Sequence, residues 1–307
     1  MSMSPDRATL EEVALEMGIS EAFVEKDWFV TKTIKVLAEN HYLDFTIVFT
    51  GGTSLSKAHK LIERFSEDID FRVIAPSLDG LGASKLKKAL SDFKHHVAAL
   101  LEQKFQILRV DGRDGNRHIM VDLAYPTVCE PAQALRPHIK LELTLSALLL
   151  PSIDLPVSSF INEVARRPPE VNKIACINPV ENATDKLSAL IWRIPSRVRG
   201  EHDRQPDVVR HLHDLAKLSK QALVHPDFTA LVRQTVARDD NRAEAVQGLS
   251  ISEKLSKMIE VLVTDKAYPA EYETFVHGMS YAKDAAVPSF NEALTAVKEL
   301  AGKVSTL

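Results

Sequence analysis

Cysteine, net charge and long apolar runs are all scarce in this 307-residue sequence, and each scarcity narrows what the chain can be. The two cysteines, Cys129 and Cys176, lie far apart, with no CxxC pair and no His/Cys grouping at zinc spacing. A disulfide framework and a zinc module are thereby set aside, and both residues read as reduced, structural thiols of a cytosolic protein. The formal net charge is −4 and the pI about 6.3, so the chain lacks the overall basic character of a nucleic-acid coat protein. Contact with nucleic acid would need a local basic patch. The opening segment MSMSPDRATLEEVALEMG is charged early and has no apolar core of the signal-peptide kind. The apolar run from Leu145 to Pro151 is much too short to span a bilayer. A soluble, cytoplasmic protein is expected. No internal repeat or low-complexity tract interrupts it.

What is present is ordinary globular material, 45% hydrophobic and 26% charged, enough for one large domain or two moderate ones. Leu10, Val13, Ala14 and Met17 make a helical stripe that Gly18 stops, and Ser20 caps a second helix running through Trp28, Ile34 and Leu37. The β-branched and aromatic run Phe45–Thr50 predicts a strand, Gly51-Gly52 breaks it, and helical spacing resumes from Thr53 to Arg64. Alternation predicts a strand over Asp68–Val73, a helix follows over 83–104, and strands are expected at Phe105–Val110, His118–Ala124 and His138–Leu145. Asp111 to Asn116 has hairpin-turn chemistry. From Asn182 onward the pattern is helical, interrupted at Pro195, Pro206, Pro226 and Pro269. The division falls near 165–180, with Arg166-Arg167-Pro168-Pro169 as the expected linker, and a cleft between two halves is a common place for a ligand.

One stretch concentrates chemistry. A strand leads into Gly51-Gly52-Thr53-Ser54, a helix follows, and the next strand carries Asp68 and Asp70. Two glycines let the backbone turn sharply and approach a ligand closely. The amides of Gly51, Gly52, Thr53 and Ser54 open a helix whose dipole favours anions. Two carboxylates at i and i+2 of a strand point to one face. Carboxylates facing a phosphate-binding turn suit a divalent metal with a nucleoside triphosphate. A Gly-Gly turn alone is usually only a turn, and a lone Asp-x-Asp is usually solvated surface; their order and spacing carry the specificity.

The run GGTSLSKAHKLIERFSEDIDF, residues 51–71, resembles the AbiEii/AbiGii nucleotidyltransferase toxins of the DNA polymerase β-like superfamily. The resemblance extends to Glu25-Lys26-Asp27-Trp28, to Asp185–Arg193 and to Arg210–Leu215, and so covers most of the chain. It implies an α/β (α+β) fold: a polymerase β-like domain with a mixed sheet over 1–170, and an all-helical domain over 171–307 that closes the active-site cleft. It implies triphosphate binding by Gly51, Gly52, Thr53 and Ser54, and Mg²⁺ or Mn²⁺ held by Asp68 and Asp70. It further implies phosphate contact by Lys186 and a place for Asp214 in or near the catalytic centre. Related sequences often read Arg-Asp-x-x-Asp at the last motif, whereas His211 stands here in place of the first Asp.

Glu142 is a candidate third carboxylate or base for the acceptor hydroxyl, set against a solvent-facing Lys140/Glu142 pair on an edge strand; Asp122 competes for the role. Lys57, one turn past the loop, could reach a phosphate or be a surface lysine. Arg193, Arg197, Arg199, Arg204 and Arg210 are interleaved with acidic residues and read first as a mixed-charge surface; the family pattern lifts Arg193 and Arg210 to phosphate contacts. Trp28 and Phe29 read as core. His95-His96 and His211/His213 lack ligand spacing on a helix. The expectation is a metal-dependent toxin of a toxin–antitoxin or abortive-infection system, neutralised by a separately encoded antitoxin. It would transfer a nucleotide from an NTP to a tRNA 3′ end or a protein, releasing pyrophosphate. The alternatives are kinase-like γ-phosphoryl transfer on the same fold, a non-catalytic nucleic-acid-binding regulator, and a housekeeping transferase.

Overall fold

The computed structural model describes residues 4–42, 44–78, 80–130, 132, 135–200, 203, 208–281 and 287–305. The chain forms two compact units, one of Met1–Lys60 with Phe65–Ile177 and the other of Leu61–Arg64 with Asn178–Leu307.

Two capped helices open the first unit. Asp6 accepts from the Thr9 amide at 2.9 Å to start α1 (Arg7–Met17), and Gly18, at φ 68°, closes it with its amide on the Ala14 and Leu15 carbonyls. Ser20 caps α2 (Glu21–Ala38). There follow β1 (Thr46–Thr50), α3 (Gly51–Lys57), β2 (Asp68–Ile74), α4 (Ala83–Glu102), β3 (Gln106–Arg113), β4 (His118–Ala124), β5 (Ile139–Leu145), β6 (Ile153–Val157), α5 (Phe160–Val164) and β7 (Val171–Cys176). The strands form one mixed sheet in the order β3-β4-β5-β2-β1-β7-β6, with β2/β5 and β1/β7 parallel and the other neighbours antiparallel.

Period-two alternation gives the central strands two unlike faces. Ile69, Phe71 and Val73 share a core with Ile119, Val121, Leu123, Ile139, Leu141 and Leu143. Phe29, Ile34 and Leu37 of α2 and Phe93, Val97 and Leu101 of α4 belong to that core, placed by three-to-four-residue spacing. The other face carries Asp68 and Asp70 beside Lys140 and Glu142. Trp28 packs against the core and Phe29 lies within it. Cys129 and Cys176 are free and buried, and burial pushes their thiols up to about 11 and about 12.

Two stretches depart from the sequence pattern. The helix expected over 53–64 ends at Lys57, because Lys60 takes a left-handed φ of 55° and residues 61–64 are claimed by the second unit. There the Glu63 carbonyl accepts from the Tyr281 amide at 3.0 Å and Arg64 bridges Ser280. Long-range pairing overrides helical spacing. The expected linker Arg166–Pro169 instead joins α5 to β7 inside the first unit. β6 is an edge strand whose register shifts between Leu155 and Val157, at Pro156, where the ladder tolerates a missing N–H.

Among the described residues the second unit is built from helices: α6 (Pro179–Ser196), α7 (Arg210–Val224), α8 (Phe228–Arg238), α9 (Ile251–Thr264), α10 (Ala267–Met279) and α11 (Phe290–Ser305). Asn178 caps α6 with Pro179 at its first position. Pro195 lies at the end of α6 and Pro226 separates α7 from α8, but Pro269 sits within the first turn of α10 rather than interrupting it. The break expected at Pro206 lies outside the described residues. Among the described residues, no helix is long and apolar enough to cross a membrane.

Candidate active site

The turn from β1 into α3 sets the geometry. Gly51 has φ 75°, which L side chains rarely adopt, and a Cβ built there would lie 2.1 Å from Asp70 Oδ2. Glycine is therefore required twice over, for the backbone conformation and to leave room for the Asp70 carboxylate. In the ladders, Asp70 is paired with Thr50 on one side and Glu142 on the other, and Asp68 with Lys140. Cross-strand partners share a face, so the turn, both aspartates and Glu142 meet on the polar side of the sheet.

The hydroxyls of the loop face inward. Thr53 Oγ1 donates to the Ser66 carbonyl at 3.2 Å and to the Asp68 carbonyl, tying α3 to the strand that bears both aspartates. Ser54 is fully buried beside the Cys176 thiol. What the loop offers an anion is thus its first-turn amides, at Gly52 and Thr53, for which an α-helix supplies no intrahelical acceptor. Lys57, expected as a phosphate contact, is placed differently: it is buried, with its ammonium on the Asp27 carboxylate. Asp27 also accepts from the Phe160 amide at 2.7 Å, and burial raises its carboxyl against the pull of Lys57.

Three neighbours of the site, Arg136, Lys26 and Glu67, are given no role from sequence. Arg136 places Nη1 on Asp68 Oδ1 and 3.8 Å from Glu67 Oε1, while its main-chain amide donates to Glu67 Oε2 at 2.9 Å. The buried Lys26 ammonium holds both Glu67 and the Arg136 carbonyl. The Glu25-Lys26-Asp27 run therefore does three jobs: Glu25 accepts from the Val128 amide at 2.8 Å, Lys26 clamps the segment entering β5, and Asp27 anchors Lys57. Glu67 abuts the Asp-x-Asp motif and could have been weighed from sequence; Arg136, 68 residues from its partner, offers no local signal.

β5 is an interior strand rather than an edge, and Glu142 stands directly across from Asp70 with Lys140 ion-paired to it. Asp122 lies one strand further out, 3.7 Å from His138 Nε2. Among the described residues no group of three His, Cys, Asp or Glu side chains could by itself hold a metal. Mg²⁺ commonly takes one or two carboxylates and fills its octahedron with waters and substrate phosphates. Asp68 and Asp70 supply such a donor set, and the Gly51 cradle keeps the Asp70 carboxylate against the turn that would hold the phosphates.

The helical unit carries a charged cluster of its own. Asp214, fully buried on α7, accepts from Arg64 Nε and Nη2, each at 2.7 Å, and from Lys186 Nζ at 2.7 Å. Burial alone would raise the Asp214 carboxyl, but Arg64 and Lys186 hold it well below the usual carboxylate range. Burial pulls the Lys186 ammonium down, with Asp214 opposing. Arg193, half-buried, stacks 4.9 Å from the Trp192 ring, and Arg210 is also half-buried. His211 is 8% exposed and neither ring nitrogen has a hydrogen-bond partner. Burial, with the charges of Lys186, Arg210 and Arg193, holds it well below the ordinary histidine range. Arg197 pairs with Asp203 at 2.7 Å and Glu271 at 2.6 Å, and Arg199 with Glu271 at 2.6 Å; the charges are mixed as expected, but the Arg197 side chain is buried rather than on a solvated surface, and Arg204 lies outside the described residues.

The family model for the nucleotidyl transferase AbiEii toxin, of type IV toxin–antitoxin systems, matches residues 35–296. Among solved structures, MenT4, a nucleotidyltransferase toxin of Mycobacterium tuberculosis H37Rv, is 19% identical, with 98% of this chain and 99% of that chain covered and a TM-score of 0.53. That likeness shows a shared fold. CdnE, a cyclic dinucleotide synthase of Elizabethkingia meningoseptica, is 10% identical over 88% of this chain and 87% of that one; its TM-score of 0.24 carries no argument. No curated protein is matched.

Proposed function

The chain belongs to the AbiEii nucleotidyltransferase toxin family of type IV toxin–antitoxin systems, and on that premise we propose that it is a Mg²⁺- or Mn²⁺-dependent toxin transferring NMP from an NTP to a tRNA 3′ end or to a protein. The observation that supports this reading is the closeness of Gly51 to Asp70, where a side chain at 51 would meet the Asp70 carboxylate at 2.1 Å; it sets the turn proposed to bind phosphate against the carboxylate proposed to bind metal. In the reaction, an acceptor hydroxyl oxygen forms a bond to the α-phosphorus, the α–β phosphoanhydride bond breaks, and pyrophosphate leaves with the electron pair. When bound, the divalent ion supplies neutralisation of the charge on the phosphates.

The residues of the chain have separable tasks in this proposal. Asp68 and Asp70 hold the metal, and the amides of Gly52 and Thr53 align the phosphates. Glu142, across from Asp70, takes the acceptor proton or completes the ligand set. Lys186, Arg193 and Arg210 of the helical unit contact the triphosphate, and Asp214 fixes the Lys186 ammonium. A separately encoded antitoxin is the proposed partner.

The test is transfer of label from each α-³²P NTP, with Mg²⁺, to total tRNA and to protein. Incorporation that Asp70→Ala abolishes is the expected result and identifies nucleotide and acceptor class together. Label that moves only from γ-³²P NTP would overturn nucleotidyl transfer in favour of phosphoryl transfer.

A further inference from the structure

Arg136 reaches the carboxylate face from the segment that leads into β5, and its main chain is fixed. The amide donates to Glu67 Oε2 at 2.9 Å and the carbonyl accepts from the buried Lys26 ammonium. Pro137 follows, which restricts the backbone of residue 136 to extended conformations. The side chain is held less firmly. Its Nη1 lies on Asp68 Oδ1, and 34% of the Arg136 side chain is exposed against 13% of that of Asp68. A second acceptor is at hand in Glu67 Oε1, 3.8 Å from the same nitrogen. Lys26 and the Arg136 amide both hold the other oxygen of Glu67, Oε2. A guanidinium leaving Asp68 therefore keeps a charged partner without any movement of its backbone, and in contact with water the exchange costs little.

We propose that Arg136 competes with the divalent ion for Asp68 and that, as the ion binds, the guanidinium passes to Glu67 Oε1. Arg136 is then a positioning residue that sets the affinity of the site for its metal. Both cations are drawn by the same negative charge, so whichever holds Asp68 weakens the grip of the other. An arginine suits such an exchange, since its several N–H donors let it gain one carboxylate while releasing another. A purely structural ion pair would make the same contact with Asp68 but have no use for the second carboxylate. That Asp68 is a metal ligand rests on the transferase reading above.

The test adds Mn²⁺ to the full-length, nucleotide-free protein and counts the free ion by electron paramagnetic resonance. Arg136→Gln, which removes the charge, should tighten Mn²⁺ binding about two- to fivefold, and Arg136→Lys, which keeps it, should stay near the wild type. Glu67→Gln removes the charge of the second carboxylate. It should weaken binding more in the wild-type background than in Arg136→Gln, a coupling that independent charge effects would not give. In the ¹⁵N-arginine-labelled wild type, Mg²⁺ should move the Arg136 Nε–H signal, identified by its loss in Arg136→Lys. Unchanged affinity in Arg136→Gln, equal tightening in Arg136→Lys, or an unmoved signal would each overturn the competition. Equal effects of Glu67→Gln in the two backgrounds would overturn the passage to Glu67. Should Arg136→Gln fail to fold, the wild-type signal and Arg136→Lys still decide. Mn²⁺ binding undiminished in Asp70→Ala would sink the metal reading and this inference with it; binding that needs Asp70 but ignores Arg136 would sink the inference alone.

Discussion

The aspartates of the α/β unit and the aspartate of the helical unit are the same side chain in opposite environments. Asp68 and Asp70 stand on a partly buried sheet face, with a guanidinium on one and a bare glycine turn against the other. Asp214 is sealed from solvent and saturated by a bidentate arginine and a lysine. In the proposed site, the carboxylates that would exchange partners are the ones nearer water, where releasing one costs less. One that must fix a lysine is buried, where losing a partner is expensive. The contrast gives the proposal its division of labour: the partly exposed aspartates as ligands, the sealed one as the anchor of Lys186.

The largest expected effects would break the contrast if they came out alike. Asp70→Ala should lower transfer on the order of a thousandfold, the scale of removing a charge-stabilising group, while leaving thermal unfolding essentially unchanged. Asp214→Ala should instead destabilise the helical unit by about 3–5 kcal/mol, seen in urea unfolding, because Arg64 and Lys186 lose the buried carboxylate they share. Equal melting of the two variants would refute the distinction. Gly51→Ala comes next: about 1–2 kcal/mol of left-handed strand-turn strain, with loss of transfer exceeding loss of stability because the new methyl displaces the Asp70 carboxylate. Smaller still, Arg136→Ala should tighten Mn²⁺ binding to the nucleotide-free protein about two- to fivefold, the scale of a partly exposed ion pair, as measured by electron paramagnetic resonance.

The subtlest effect is on pH. Because the folded carboxyl of Asp214 lies well below its ordinary value of 3.8, its stabilisation is fully present above that value and is lost as pH falls toward the depressed one. Asp214→Asn should therefore flatten the acid limb of the stability profile below about pH 4. An unchanged acid limb would place the acid sensitivity elsewhere.

What could be read in advance follows from distance along the chain. Residues 51–70 hold the turn, the short helix and both carboxylates in one contiguous run, so their spacing exposes their chemistry. The partners that tune them do not: Arg64 finds Asp214 across 150 residues, and Lys26 finds the Arg136 carbonyl across 110. Charge alone cannot pair residues so far apart, and Lys57 shows the cost, since a lysine one turn past the glycine turn is an interior anchor for Asp27. Strands β6 and β7 were illegible for another reason. Pro156 spoils one pattern, and Val171, Ile174 and Cys176 bury on an irregular spacing.

The short segment Leu61–Arg64 makes the second unit discontinuous in sequence, although most of it is a C-terminal block. A fragment beginning at Asn178 would carry Asp214 and Lys186 but not the guanidinium that grips Asp214 in two places. Exchange of helical halves between relatives therefore has a hidden requirement: the donor must be compatible with an arginine that stays behind, 114 positions upstream of the cut (178 − 64), inside the loop that links α3 to β2. Recombination at the apparent boundary would sever this pairing, which ties the inheritance of the two halves together.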